Sequence, residues 1–373
     1  MKRRHAAAAI GALGLTGLRG VRAAEANEVV LGQSAVITGP LGGPIRALIA
    51  GAQMAFDAAN AVGGVHGRKI KLVTLDDELA PPKAVANYKK LLEEQQALAL
   101  FGCVGSGTTA AAAKVLQDNG AASVGGYAVA DSARQKAGNA GFFVRASTGR
   151  EAEVLLRQLT TIGIDRIAVA HLDNPGGAEA LNLVARAMEV HRIKPVASGG
   201  VKGDGSNAAE LGRKLAEAKP QAVIMYLSGK QPADLMPAMR AADSNPMFYG
   251  MSIVSGEVVA KALGEQSRGL AIAQVMPYPW SQSDTDIGAY QRAVAAAKLE
   301  PNYYSLEGWI NAQVMIEALK RTGRELTRGR LLNTLRAMKM RIAGLDLDFT
   351  AENIAASRFV ELVQVRHDGR FVR

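Results

Sequence analysis

The chain has a single cysteine, Cys103, among its 373 residues. No intrachain disulfide can form, and a cysteine-based metal site is excluded. Histidine is almost as scarce. His5, His66, His171, His191 and His367 stand far apart, without metal-ligand spacing. Aromatic residues make up 5% of the chain, and the basic residues are scattered with no dense block. That composition does not build a nucleic-acid groove. After residue 26 no stretch reaches the roughly 18 apolar residues of a membrane span. Catalytic signatures are missing too: neither a phosphate-binding GxxxxGKS/T nor a zinc-binding HExxH occurs. A nucleophile elbow at Ser106 would need glycine two positions earlier, where Val104 stands. No paired carboxylates and no Ser/His/Asp set stand out. The expectation is a protein that is not an enzyme, holds no metal or cofactor, binds no nucleic acid and does not insert stably in a membrane.

What is present begins with an export signal. Lys2, Arg3, Arg4 and His5 form a basic start, residues 6–18 carry no charge, and Ala24-Glu25-Ala26 offers small residues for cleavage. This is the layout of a secretory signal peptide over residues 1–26, cut between residues 23 and 27. Cys103 lies too far along to be a lipid anchor, so the expected compartment is the periplasm. Removing residues 1–26 takes five basic residues and one acid, lowering the net charge from +10 to +6. A mild attraction for anionic ligands follows.

The remainder exceeds one comfortable core and alternates strand and helix throughout. Strands are expected at 28–34, 68–76, 97–101, 121–125 and 142–145, with helices at 44–61 and 81–95. A second alternating block runs from 151 to 275. Met276-Pro277-Tyr278-Pro279-Trp280 then breaks the pattern as a crossing or hinge. Helices follow at 285–297, 305–321 and 327–338. The chain ends in strand signals at 344–350 and 359–372, with a turn at His367-Asp368-Gly369. Alternation of this kind gives parallel sheets with helices on both faces.

Residues 97–117 stand out within this frame. An apolar strand runs into Gly105-Ser106-Gly107-Thr108-Thr109, and a helix follows. The first amides of a helix lack partners inside it and carry partial positive charge, so an anion can sit there. Gly105 lets the backbone turn, while Ser106, Thr108 and Thr109 add hydroxyls. A dinucleotide fingerprint is a poor match: the glycines follow the third strand, and no strand-end acid lies about 20 residues on.

Val29-Val30-Leu31-Gly32-Gln33-Ser34 leading to Thr38-Gly39-Pro40, together with Gly63-Gly64-Val65-His66-Gly67-Arg68, resembles the periplasmic solute-binding proteins for branched-chain amino acids. Gly51–Phe56, Leu75-Asp76-Asp77, Phe101-Gly102 and Ser305-Leu306-Glu307-Gly308 match the same group. The resemblance implies two doubly wound α/β lobes joined by three crossovers, the type I periplasmic binding fold. The lobes would comprise 27–147 with 277–346 and 148–276 with 347–373. It implies a monomer that captures a small solute between the lobes and delivers it to an inner-membrane ABC permease; the alternative is a ligand-sensing subunit for a membrane receptor. Carried over by position, the ligand carboxylate falls on Ser106, a backbone carbonyl on Tyr127 and a hydroxyl position on Val129. The acid after the first crossing falls on Arg150, with Glu151 beside it. Ser252 stands in the region where relatives carry a second acid. Two missing acids lead us to expect a carboxylate without an α-ammonium; the alternative is an amino acid, its ammonium met by Glu151 or Glu257 swinging in.

Overall fold

The computed structural model describes residues 27–38, 42–350, 354–366, 368 and 370–373. The expected export signal lies outside them, as do Gly39 and Pro40 of the family-like opening and His367 and Gly369 of the final turn.

The first lobe opens with β1 (Glu28–Ala35), α1 (Gly42–Ala61), β2 (Lys69–Asp76) and α2 (Pro81–Lys89). The chain goes on through β3 (Ala99–Phe101), α3 (Ser106–Asp118), β4 (Ser123–Val124), α4 (Asp131–Ala137) and β5 (Gly141–Phe142). The sheet runs β2-β1-β3-β4-β5 and is parallel throughout. The turn after α2 and strand β3 pack so close to β1 that a Cβ on Gly32 would lie 2.9 Å from Leu91 and Leu100 side-chain atoms. The second lobe is α5 (Thr148–Thr161), β6 (Ile167–Leu172), α6 (Pro175–Val190), β7 (Ala197–Val201), α7 (Ala208–Glu217), β8 (Ala222–Tyr226), α8 (Gln231–Ala241), β9 (Met247–Gly250), α9 (Gly256–Leu263) and β10 (Leu270–Gln274).

After β10 the chain returns to the first lobe with α10 (Thr285–Ala296), α11 (Tyr303–Thr322) and α12 (Arg328–Arg336), then a hairpin of β11 (Lys339–Ile342) and β12 (Leu345–Asp348). Helices α1 and α11 cross at backbone contact. A Cβ on Gly51 would sit 1.8 Å from the Ser305 carbonyl oxygen, and one on Gly308 1.8 Å from that of Leu48. Only glycine allows that approach, and it buries almost the whole of α11. The guanidinium of Arg328 fastens α12 to the first lobe by donating to the carbonyls of Leu92, Ala97 and Asn119. A third passage carries the chain back to β13 (Glu361–Val365) and β14 (Phe371–Val372).

The two lobes and their crossovers are those of the expected fold, with local corrections. The second sheet runs β14-β13-β10-β9-β8-β6-β7, and β13 and β14 are antiparallel, so its edge is mixed. The helix expected over 81–95 changes to a π turn at Lys90–Glu94. Helix α4 was not expected: seven residues give too little periodicity to read. The hairpin of β11 and β12 turns through Ala343 and Gly344, both at positive φ, which suits a two-residue loop between twisted strands.

Candidate functional site

Strands β3 and β4 point their C-terminal ends at the junction between the lobes, where open α/β sheets bind ligands. Beyond β3 the backbone turns at Gly105, with φ +93°. The Gly105 amide donates to the Tyr127 carbonyl at 3.0 Å, and the Tyr127 amide to that of Cys103 at 3.2 Å. The Ser106 hydroxyl accepts from the Ala130 amide at 2.9 Å and donates to the Ala128 carbonyl at 3.2 Å. Ser106 therefore staples the loop after β4 onto the start of α3.

The other hydroxyls of that unit face inward. Thr108 donates back to the carbonyls of Val104 and Gly105. Thr109 is buried next to the Tyr88 hydroxyl. Val129 packs its side chain in a small cluster with Ala133 and Phe143, and its carbonyl accepts from Arg134 Nε at 2.9 Å. Arg150 pairs with exposed Glu153 at 3.0 Å and donates to the Arg358 carbonyl. Its charge is engaged there by Glu153 and the Arg358 carbonyl. Its neighbour Glu151 turns inward instead.

Glu151 accepts from the Ser252 amide at 2.7 Å and from the Ser252 hydroxyl at 2.8 Å. The same hydroxyl accepts from Arg145, whose other nitrogen reaches Glu307 at 3.3 Å. Arg145 comes from the first crossing, Glu307 from α11 of the first lobe, and Glu151 and Ser252 from the second lobe. All four are buried. Tyr127 lies with its ring under the Arg145 guanidinium, 4.9 Å from the centroid. Burial raises the pKa of Glu151, although Arg145 and Ser252 pull it down. Burial does the same to Glu307 against the pull of Arg145. For Arg145, burial works to lower the pKa, but Glu307 and Glu151 outweigh it and hold the guanidinium above its ordinary value. A partly open space of about 20 Å³ lies alongside, lined in part by Tyr127, Arg145, Ser252 and Glu307. That is room for water, not for an organic solute, so a solute requires the lobes to part.

Several helices begin at this junction, and nearly all have their first turns served. Asp131 accepts from the Thr148 and Gly149 amides at 3.0 Å each, and Ser147 caps α5 as well. Asn174 caps α6, and Ser255 caps α9. Glu179 of α6 reaches across to accept from the Ser132 amide of α4 at 2.7 Å, and from its hydroxyl. Helix α3 has Gly105 in the cap position and no side-chain cap. The start of α6 stands over it: a Cβ on Gly176 would lie 3.4 Å from Ser106 Oγ. Two positive helix ends thus face one another.

Sequence reading missed Arg134, Arg145, Asp131, Glu179 and Glu307. Arg134 donates to the carbonyls of Arg145 and Ala146 and to that of Ile354, tying the first and third passages; burial, with Arg145 adding, pulls it down to about 10. A signal existed for two of the five. Arg145 ends the apolar run Phe142-Phe143-Val144, and Glu307 sits inside the apolar stretch 306–310 of α11. Charges inside such runs are buried only with partners.

A profile of the family described as periplasmic binding protein matches residues 28–370. The amino acid binding protein of Pseudomonas aeruginosa is 40% identical over 70 residues, which is 19% of either chain. The Leu/Ile/Val-binding protein of Escherichia coli K12 is 24% identical over 276 residues, covering 71% of this chain and 73% of that one. The crystal structure of an extracellular ligand-binding receptor from Verminephrobacter eiseniae aligns with a TM-score of 0.85 at 28% identity, over 93% of this chain and 100% of that one. Among the described residues no helix is long and apolar enough to cross a membrane, and no cluster of His, Cys, Asp and Glu could hold a metal ion.

Proposed function

The chain belongs to the periplasmic binding protein family, and from that premise we propose that it captures a small organic carboxylate between its lobes outside the cytoplasm and hands it to an inner-membrane ABC permease. Membership in a binding-protein family makes its role non-enzymatic. One observation carries the choice of ligand. Helix α3 presents an uncapped N-terminus at the junction, while Asp131, Glu151 and Glu307 already have partners inside the protein. A carboxylate would fill the first need, with the amides of α3 and the opposing end of α6 attracting its charge. An α-ammonium would find those three acids engaged and would have to draw on Glu257, which lines the space at the junction. Stripping it of water without a partner is heavily unfavourable.

A second reading has its own support. Glu151 is buried in the second lobe, and two relatives are named for amino acids. If Arg145 draws away from Ser252 and Glu151 as the lobes part, an ammonium could take its place. Titration calorimetry with paired ligands, 4-methylpentanoate against leucine and 3-phenylpropanoate against phenylalanine, decides between them. Tighter binding of the simple carboxylate is expected. Tighter binding of the amino acid, abolished by Glu151→Gln, would overturn the first reading and establish the second.

A further inference from the structure

The guanidinium of Arg145 lies where an incoming cation would be well held. The ring face of Tyr127 is 4.9 Å from it, Glu307 is 3.3 Å away, and Glu151 is reached through the Ser252 hydroxyl. An aromatic face with carboxylates beside it is the chemistry that recognises alkylammonium and guanidinium ions. The side chain is 3% exposed, and an unfilled space of about 20 Å³ adjoins it. Arg134 is the other buried cation nearby, and its donors are committed to backbone carbonyls.

We propose that Arg145 is the built-in occupant of a cation subsite at the lobe junction, and that it sets specificity by keeping a solute's own ammonium or guanidinium out. Shortening it to alanine leaves Glu307 and Glu151 buried without their principal cation and opens the space the guanidinium filled. The variant then acquires a site for a monoalkyl guanidinium or ammonium ion. A side chain that only braced the crossings would leave a defect that no small cation repairs. The specificity half of the proposal rests on the lobe junction being the solute site; the ion-binding half does not.

The test is the unfolding midpoint of the wild type and Arg145→Ala, titrated with ethylguanidinium, ethylammonium and sodium chlorides at constant ionic strength. A saturable rise of the variant with ethylguanidinium, weaker with ethylammonium and absent with sodium, is expected, with the wild type flat. A folded variant that responds to all three salts alike, or to none, overturns the proposal. Should Arg145→Ala fold only when expressed with ethylguanidinium, that rescue supports it. Should it fold under neither condition, Arg145→Gln decides, since its amide can donate to Ser252 or Glu307 while both carboxylates stay in place and the space of the guanidinium stays open. A saturable response then supports the proposal, and a flat one overturns it. The 4-methylpentanoate-to-leucine affinity ratio should also shift at least tenfold toward leucine in the variant. An unshifted ratio removes the specificity half alone, whereas a wild type that binds neither probe points to failure of the proposed function and leaves the ion result standing.

Discussion

Glu151 and Arg150 show how much hangs on a single helical position. A helix turns by about 100° per residue, so neighbours in the first turn of α5 face different ways. Arg150 faces Glu153 and the chain at Arg358, while Glu151 faces Ser252 and the buried Arg145. The buried position has a consequence for pH. The pKa of Glu151 is raised in the folded protein from 4.5, chiefly by burial. An acid raised by folding binds its proton more readily folded than unfolded, so stability falls as pH rises from the unfolded value through the folded one. Glu151→Gln removes that dependence. Relative to the wild type, the variant should gain stability between pH 4 and pH 7, read as the difference in denaturant midpoint. A difference that stays constant, or moves the other way, would contradict a protonation-sensitive buried Glu151.

At the scale of elements, the close crossing of α1 and α11 explains why Gly51 and the Ser305-Leu306-Glu307-Gly308 stretch stand where they do. The Cβ of an alanine at 308 would meet the Leu48 carbonyl oxygen at 1.8 Å, and backbone cannot swing aside as a side chain would. Gly308→Ala should cost about 1–3 kcal/mol or more by overpacking, read from urea unfolding, and should weaken any binding that depends on Glu307. A variant as stable as the wild type would mean that the helices can separate without penalty. Much of this level was legible in the sequence. Strand and helix alternation reports burial on one or two faces, and that periodicity survives in residues 28–275. What was not legible came from longer range. Strand β13 reads as a strand but not as antiparallel, because the pairing partner β10 lies far back in the chain. Ser106 reads as a helix-start hydroxyl, and its actual bonds go to Ala128 and Ala130 on the next loop. The charged set at the junction was hidden for the same reason: Arg145 stands 162 residues from Glu307 and 107 from Ser252 along the chain.

For the whole molecule, the account is of two sheets whose strand ends meet over a charged, nearly filled junction. Aromatic and polar contacts join the lobes, Tyr303 of α11 packing edge-on against Phe371 of β14. Glu179 bonds to Ser132, Asp131 to the start of α5, and Arg145 spans Glu307 and Ser252. A junction with so little room for an organic solute must open to admit one and close again around it. The solute then shifts the balance between open and closed by its stronger binding to the closed form. The free protein should therefore populate forms with the lobes apart, and a bound solute should deplete them. The most direct measurement is small-angle X-ray scattering of the protein, free and then saturated with whichever carboxylate calorimetry shows to bind. The account predicts a smaller radius of gyration in the saturated protein. An unchanged radius at saturation would contradict capture by closure of the lobes.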